Sequence, residues 1–148
     1  MPSKAVSTAL ALGVLIISLL SVAAQDRKIT PDSSVRSSPA YAEILLRRTD
    51  ILSDLDAFSA SYTESNPKIL DLRAELNALD KEAERIAVVR AADTGKLTLA
   101  LGKLIVRKAA LEAEVVRLTR SYSKDHPDVK RSQRRVEIFE NAISEILK

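Results

Sequence analysis

The one histidine of the chain, His126, lies between Asp125 and Asp128. An imidazole flanked by carboxylates is the pattern of a metal ligand or a general base. A metal site needs three or four converging donors, yet the chain holds no second histidine and no cysteine. The alternative is a helix cap in a solvated turn. Other chemistries are equally poorly supplied. No Gly-x-Ser-x-Gly elbow presents a serine, and three glycines build no phosphate-cradling loop. The close carboxylate pairs, Asp54 with Asp56 and Glu82 with Glu84, fall on polar positions of helical repeats, where solvation is the expected state. The reading is therefore non-enzymatic, with no catalytic residue, cofactor or metal ligand expected.

One charge feature invites a binding hypothesis. Residues 96–121 carry six basic side chains against two acidic ones, whereas residues 40–62 carry two against four. The two segments either attract each other as neighbouring helices or, on the sharper reading, Lys103, Arg107 and Lys108 form a face for acidic lipid or anionic polysaccharide. A formal charge of +3 with no basic–aromatic patch does not suit nucleic acid.

The elements that carry these residues are helical. Three glycines, few aromatics and abundant Ala, Leu, Glu, Lys and Arg favour helix over strand. A first helix is expected from about residue 39 to 61, with Ile44, Ile51, Leu55, Phe58 and Tyr62 on one stripe and Ser37 or Ser38 as N-cap. In the second, Ile69, Leu72, Leu76, Leu79, Ala83 and Ile86 follow the alternating three–four spacing of a coiled-coil seam. After a break over residues 91–96, where Gly95 suits a left-handed C-cap, the pattern returns 60 residues on. Leu104, Leu111, Val115, Leu118 and Tyr122 match the first helix. Val129, Ser132, Val136, Phe139, Ile143 and Ile146 match the second.

The turns match as well. Ser61-Tyr62-Thr63-Glu64-Ser65-Asn66-Pro67 and Ser121-Tyr122-Ser123-Lys124-Asp125-His126-Pro127 each separate two helical stretches. Proline in a first helical turn lacks only an N–H that has no partner there, and it pushes the residue before it out of the α region. Asn66 and His126 therefore read as caps, and Tyr62 and Tyr122 as covers of the hairpin ends. Four residues between helices imply antiparallel neighbours. Because Asn66 occupies the position of His126 in the other copy, the turn works without an imidazole.

The stretches from Tyr62 to Ile69 and from Tyr122 to Val129, each leading into a heptad, resemble the periplasmic coiled-coil segments of the polysaccharide copolymerase family. These are the chain-length determinants of exopolysaccharide and O-antigen export, in which a Tyr-Thr-x-x-His-Pro-x-Val-like stretch precedes such a helix. The resemblance covers residues 40–148, with only the turns specific. It implies a helical-hairpin fold and an envelope context. The family's second transmembrane helix and its frequent tyrosine kinase module have no counterpart before Lys148, so control of polymer length does not carry over.

Residues 1–24 read as a signal peptide or an uncleaved membrane anchor. Lys4 precedes an apolar run from Ala9 to Leu20, and Val22-Ala23-Ala24 offers a cleavage site before Gln25. Residues 5–24 nearly match a bilayer-spanning length of about 20. Residues 25–39 read as a flexible tether. The expectation is an all-α protein of two tandem antiparallel helical hairpins, residues 40–90 and 97–148, forming a four-helix bundle or an extended coiled coil. It is placed outside the cytoplasm, periplasmic or secreted, with attachment to the inner membrane if the anchor is kept. The expected partners are further copies of the chain or an envelope protein. The expected role is a scaffold accessory to polysaccharide export or envelope assembly; the alternative is a periplasmic chaperone-like or ligand-binding protein.

Overall fold

The computed structural model describes residues 31–148, and the expected leader and the first part of the tether lie outside them. Of the described residues 81% are helical and none is in a strand, so the all-α expectation holds. A short helix α1 (Ser33–Arg36) precedes α2 (Pro39–Ser59) and α3 (Pro67–Ala87). A 3-10 turn (Ala91–Lys96) then leads to α4 (Leu99–Ser121) and α5 (Pro127–Leu147). Among these no helix is long and apolar enough to cross a membrane.

Each long helix starts on a side-chain cap. Ser38 accepts from the Tyr41 N–H at 3.2 Å, Asn66 from Lys68 at 2.9 Å, Thr98 from Leu101 at 3.3 Å and His126 from Asp128 at 3.2 Å. Pro39, Pro67 and Pro127 follow three of these caps. Such caps satisfy amide groups that the helix leaves without partners. The stretches between helices are longer than the four residues expected. The first spans residues 60–66, because α2 stops at Ser59, and the second spans residues 122–126, because α4 stops at Ser121.

The helices pack against one another. α4 lies at the centre, in contact with α2, α3 and α5, while α2 packs on α3 and α4, and α5 mainly on α4. The core runs through Ile44 and Ile51 of α2, Leu72, Leu79 and Ile86 of α3, Leu101, Ile105 and Ala109 of α4, and Ile143 of α5. The 60-residue offset predicts matching environments for α2 and α4, yet α2 buries three residues and α4 eight. Of the other long helices α2 touches two and α4 three, and a helix packed on three sides must be apolar or internally neutralised on nearly every side.

Two expectations are corrected. From Asp32 onward the tether is ordered structure: the Asp32 carboxylate accepts from the Ser34 N–H at 2.9 Å and starts α1, and Val35 is fully buried. Full burial of one valine contributes about 1.5–3 kcal/mol, enough to dock a short polar segment. Gly95 takes no left-handed conformation, since no described residue has positive φ. Instead the Thr94 hydroxyl donates to the Ala91 carbonyl at 2.9 Å, and Asp93 pairs with Arg90 and Lys96, which closes the 3-10 turn.

Gly102 is where α4 meets the start of α2. A Cβ there would stand 2.8 Å from Glu43 Cβ and 2.9 Å from Ala40 Cα. The Ala40 N–H donates to the Leu97 carbonyl at 3.1 Å, which locks the two backbones together at this point. The Gly102→Ala variant gains roughly 1 kcal/mol of helix propensity. It loses about 1–3 kcal/mol to overpacking. A lower urea midpoint is the expected net result. Gly95→Ala has open space and an ordinary φ, so it is neutral or stabilising by about 0.4–1 kcal/mol in the same measurement.

Candidate functional site

The chemically densest part of the molecule is a charge cluster where α3, α4 and α5 meet. Lys108 Nζ on α4 lies 2.5 Å from Glu82 on α3, 3.1 Å from Glu112 one turn on, and 3.0 Å from Glu140 on α5. Arg85 joins it, 2.9 Å from Glu140 and 3.2 Å from the Ser144 hydroxyl. Three carboxylates therefore surround two cations. Glu82 Oε2 is buried without a hydrogen bond, and Arg85 Nη1 at 3.5 Å is its ion-pair contact. The local reason is the spacing of α3: Glu75, Ala78 and Glu82 run beside the Leu72–Leu79–Ile86 seam, so the buried face is wider than the seam alone. Glu75 is neutralised in its turn by a forked pair with Arg47, at 2.7 and 2.9 Å. That fork holds the guanidinium of Arg47 above the usual arginine range against the opposing effect of burial.

Burial opposes the charge on Lys108, but hydrogen bonds to Glu82, Glu140 and Glu112 together outweigh it and hold the ammonium well above the usual lysine value. Burial also pushes the Glu140 carboxyl up. Its bonds with Lys108 and Ser144, and the charges of Lys108 and Arg85, outweigh that and leave it below the usual glutamate value. Lys108 and Glu140 are thus each held by their neighbours in the charged form that the pairing requires. This is the chemistry of a structural lock.

The same offset that relates the two halves relates their ion pairs. Arg48 and Asp80 meet at 2.6 Å between α2 and α3, and the residues 60 places on are Lys108 and Glu140, which meet between α4 and α5. The first pair is a third or more exposed, whereas Lys108 is 9% exposed. The offset fails for the next pair. Arg47 has Glu75, but the residue corresponding to Glu75 is Arg135, so Arg107 finds no acid there and stays outside.

Beside the cluster an open groove of about 810 Å³ lies over α4, between α3 and α5. Ala74, Ala78, Val115, Val116 and Val136 give it apolar walls, with Lys81 and Glu137 at its edges. A smaller polar recess of about 210 Å³ is formed by Arg47, Asp54, Asp71, Arg117 and neighbours.

The residues expected from sequence divide sharply. Asn66, Pro67, His126 and Pro127 sit in the turns as caps and first-turn prolines. Tyr62 packs on Phe58, centroids 5.8 Å apart, and Tyr122 stacks on His126 at 4.2 Å; both tyrosines remain about half exposed. His126 Nδ1 accepts the Asp128 N–H. Among the described residues no group of His, Asp and Glu side chains is arranged to hold a metal ion. The candidate basic face is corrected: Lys103 and Arg107 are exposed, but Lys108 points inward and is neutralised. Glu82, expected to be solvated, is 5% exposed. Comparison with family models, with characterised proteins and with solved structures finds no match.

Removing the central cation leaves the buried carboxylate of Glu82 facing the half-buried Glu112 and Glu140 without their shared partner. Lys108→Ala is expected to cost about 3–5 kcal/mol of unfolding free energy. Arg48→Ala breaks the exposed equivalent and is expected to cost about 1 kcal/mol or less. Denaturant titrations of both variants check the contrast. The pH dependence follows from the same groups. Glu140, lowered in the fold, stabilises fully above the ordinary glutamate value of 4.5, and that share is lost as pH falls through its folded value. Lys108, raised in the fold, contributes fully below 10.5 and loses its share only at more alkaline pH, as its raised value is passed. Melting temperature should therefore be flat between these limits and fall on the acid side, with the acid fall reduced in Glu140→Gln. His126→Asn copies the cap of the first turn and should leave stability within about 1 kcal/mol of the parent by thermal denaturation.

Proposed function

We propose that the chain is a non-enzymatic helical scaffold outside the cytoplasm, accessory to exopolysaccharide export or to another envelope assembly. The observation that carries the reading is the division of the molecule's side chains. The buried charges are consumed in pairs that fasten helices to one another, while exposed leucines gather on the outer side of α2. Such an object holds position and offers surface. Two tandem helical hairpins, α2 with α3 and α4 with α5, are its proposed building plan. The repeat-equivalent pairs Arg48–Asp80 and Lys108–Glu140 support that plan and an internal duplication behind it. The location outside the cytoplasm rests on the apolar leader with its small-residue cleavage pattern, and the polysaccharide link rests on the Tyr–Pro turns. Partners in this reading are an envelope protein or further copies of the chain. Nucleic acid and cofactors have no part in it.

The groove between α3 and α5 favours a second reading, a chaperone-like or ligand-binding protein that clasps an apolar segment there. Light scattering of the chain, paired with an assay for suppression of client aggregation, separates the two. A scaffold associates with itself or with an envelope partner and leaves unfolded clients unprotected. A strict monomer that holds such clients overturns the scaffold reading.

A further inference from the structure

The groove over α4 is closed at one end and open at the other. α3 and α5 both run antiparallel to α4: Asp71 and Glu82 of α3 meet Arg120 and Lys108, while Ser132 and Glu140 of α5 meet Glu114 and Lys108. Toward the C-terminal ends of the two outer helices, Arg85 bridges them through Glu140 and Ser144. Toward their N-terminal ends no ion pair or side-chain hydrogen bond joins α3 to α5 among the described residues. The groove therefore opens between Ala74 and Gln133 and ends against the charge cluster.

The closed end is short of one cation. Glu82, Glu112 and Glu140 share only Lys108 and Arg85. Glu82 lines the groove with its side chain 7% exposed, and its Oε2 has no hydrogen bond, with Arg85 Nη1 standing 3.5 Å away. A buried oxygen left in that state is costly and draws a donor. Across the whole lining three acidic side chains face two basic ones, of which Lys108 is already engaged. The other two rim charges, Glu137 on α5 and Lys81 on α3, are exposed and have no ion pair among the described residues. The open end is of another kind. Val115, Val116 and Val136 give it an apolar surface, and Asn77 and Gln133 stand on opposite walls. Both amides are exposed and make no side-chain hydrogen bond among the described residues. A primary amide donates and accepts at once, which is what a peptide backbone offers in return. A small amine would leave both of them unused.

We infer that the groove holds a peptide segment of a partner protein in which aliphatic residues lead to a basic one. The aliphatic side chains lie on the valines, the peptide backbone bonds to Asn77 and Gln133, and the basic side chain enters the closed end toward Glu112 and Glu82. The groove volume of about 810 Å³ suits a short segment of this kind. This inference rests on the ligand-binding reading of the groove and adds to it the requirement for a cation.

Fluorescence anisotropy tests it with the full-length chain and a fluorescein-labelled peptide of valine and leucine residues ending in an arginine amide. A second peptide ends in a glutamine amide instead. The expected result is saturable binding that is about tenfold tighter for the arginine peptide, the worth of a charge-assisted hydrogen bond. Glu112→Gln and the exposed Glu137→Gln should each weaken the arginine peptide and leave the glutamine peptide unchanged. Lys81→Gln should tighten the arginine peptide, and Asn77→Ala should weaken both peptides alike. Glu145→Gln changes the charge of α5 outside the groove and reports general electrostatic attraction. Equal affinity for the two peptides, or the same loss in Glu145→Gln as in Glu137→Gln, overturns the inference and leaves the wider groove reading standing. Hexylamine binding as tightly as the arginine peptide, with Asn77→Ala and Gln133→Ala without effect, overturns it in favour of a small-amine site. Absence of saturable binding by either peptide ends both the inference and the groove reading.

Discussion

The structure depends on neutralising one buried ammonium group. α4 can occupy the centre only if each side of it is acceptable to a neighbouring helix, and Lys108 is the side chain that violates this. Glu82 reaches it from α3 and Glu140 from α5, so one cation fastens both outer helices to the central one. A leucine in its place would pack without such demands, but it would not fix which carboxylate-bearing turn sits opposite. Buried ion pairs contribute little net stability and more to register. Here the register of three helices meets at a single atom, with Arg85 tying α3 to α5 a turn away.

Most of the local structure was legible in the sequence. The seam of α3, the caps at Ser38 and Asn66, and the first-turn prolines follow from spacing and from the chemistry of helix ends, which operate within a few residues. What spacing could not show was which helix would be central. The Glu75–Glu82 row looks like an ordinary solvated flank until Arg47 and Lys108 arrive from other helices. For the same reason Lys103, Arg107 and Lys108 looked like one face. Within six residues of helix they point in different directions, and only the third meets a wall of carboxylates. A signal was present: stepping 60 residues from Arg48 and Asp80 leads to Lys108 and Glu140. A pair that recurs at the repeat offset is a contact to be expected, even where burial is invisible.

The two halves illustrate how one pattern acquires two uses. Arg48–Asp80 lies at the surface, where water screens it and its loss is tolerable; Lys108–Glu140 carries the junction. Arg135 standing where Glu75 stands in the first half removes the second forked pair, and with it the reason for Arg107 to turn inward. Which basic residues stay at the surface is thereby set by which of the offset-related acids is present to draw them inward.

The docking of Val35 also decides where a pull on the chain enters the bundle. A load applied at Asp32 meets α1 first, seated against the 3-10 turn and the start of α2. Behind α1 stands the junction of α2 and α4, where the Ala40 N–H donates to the Leu97 carbonyl. Force there acts on the seat of the central helix rather than on a loose end.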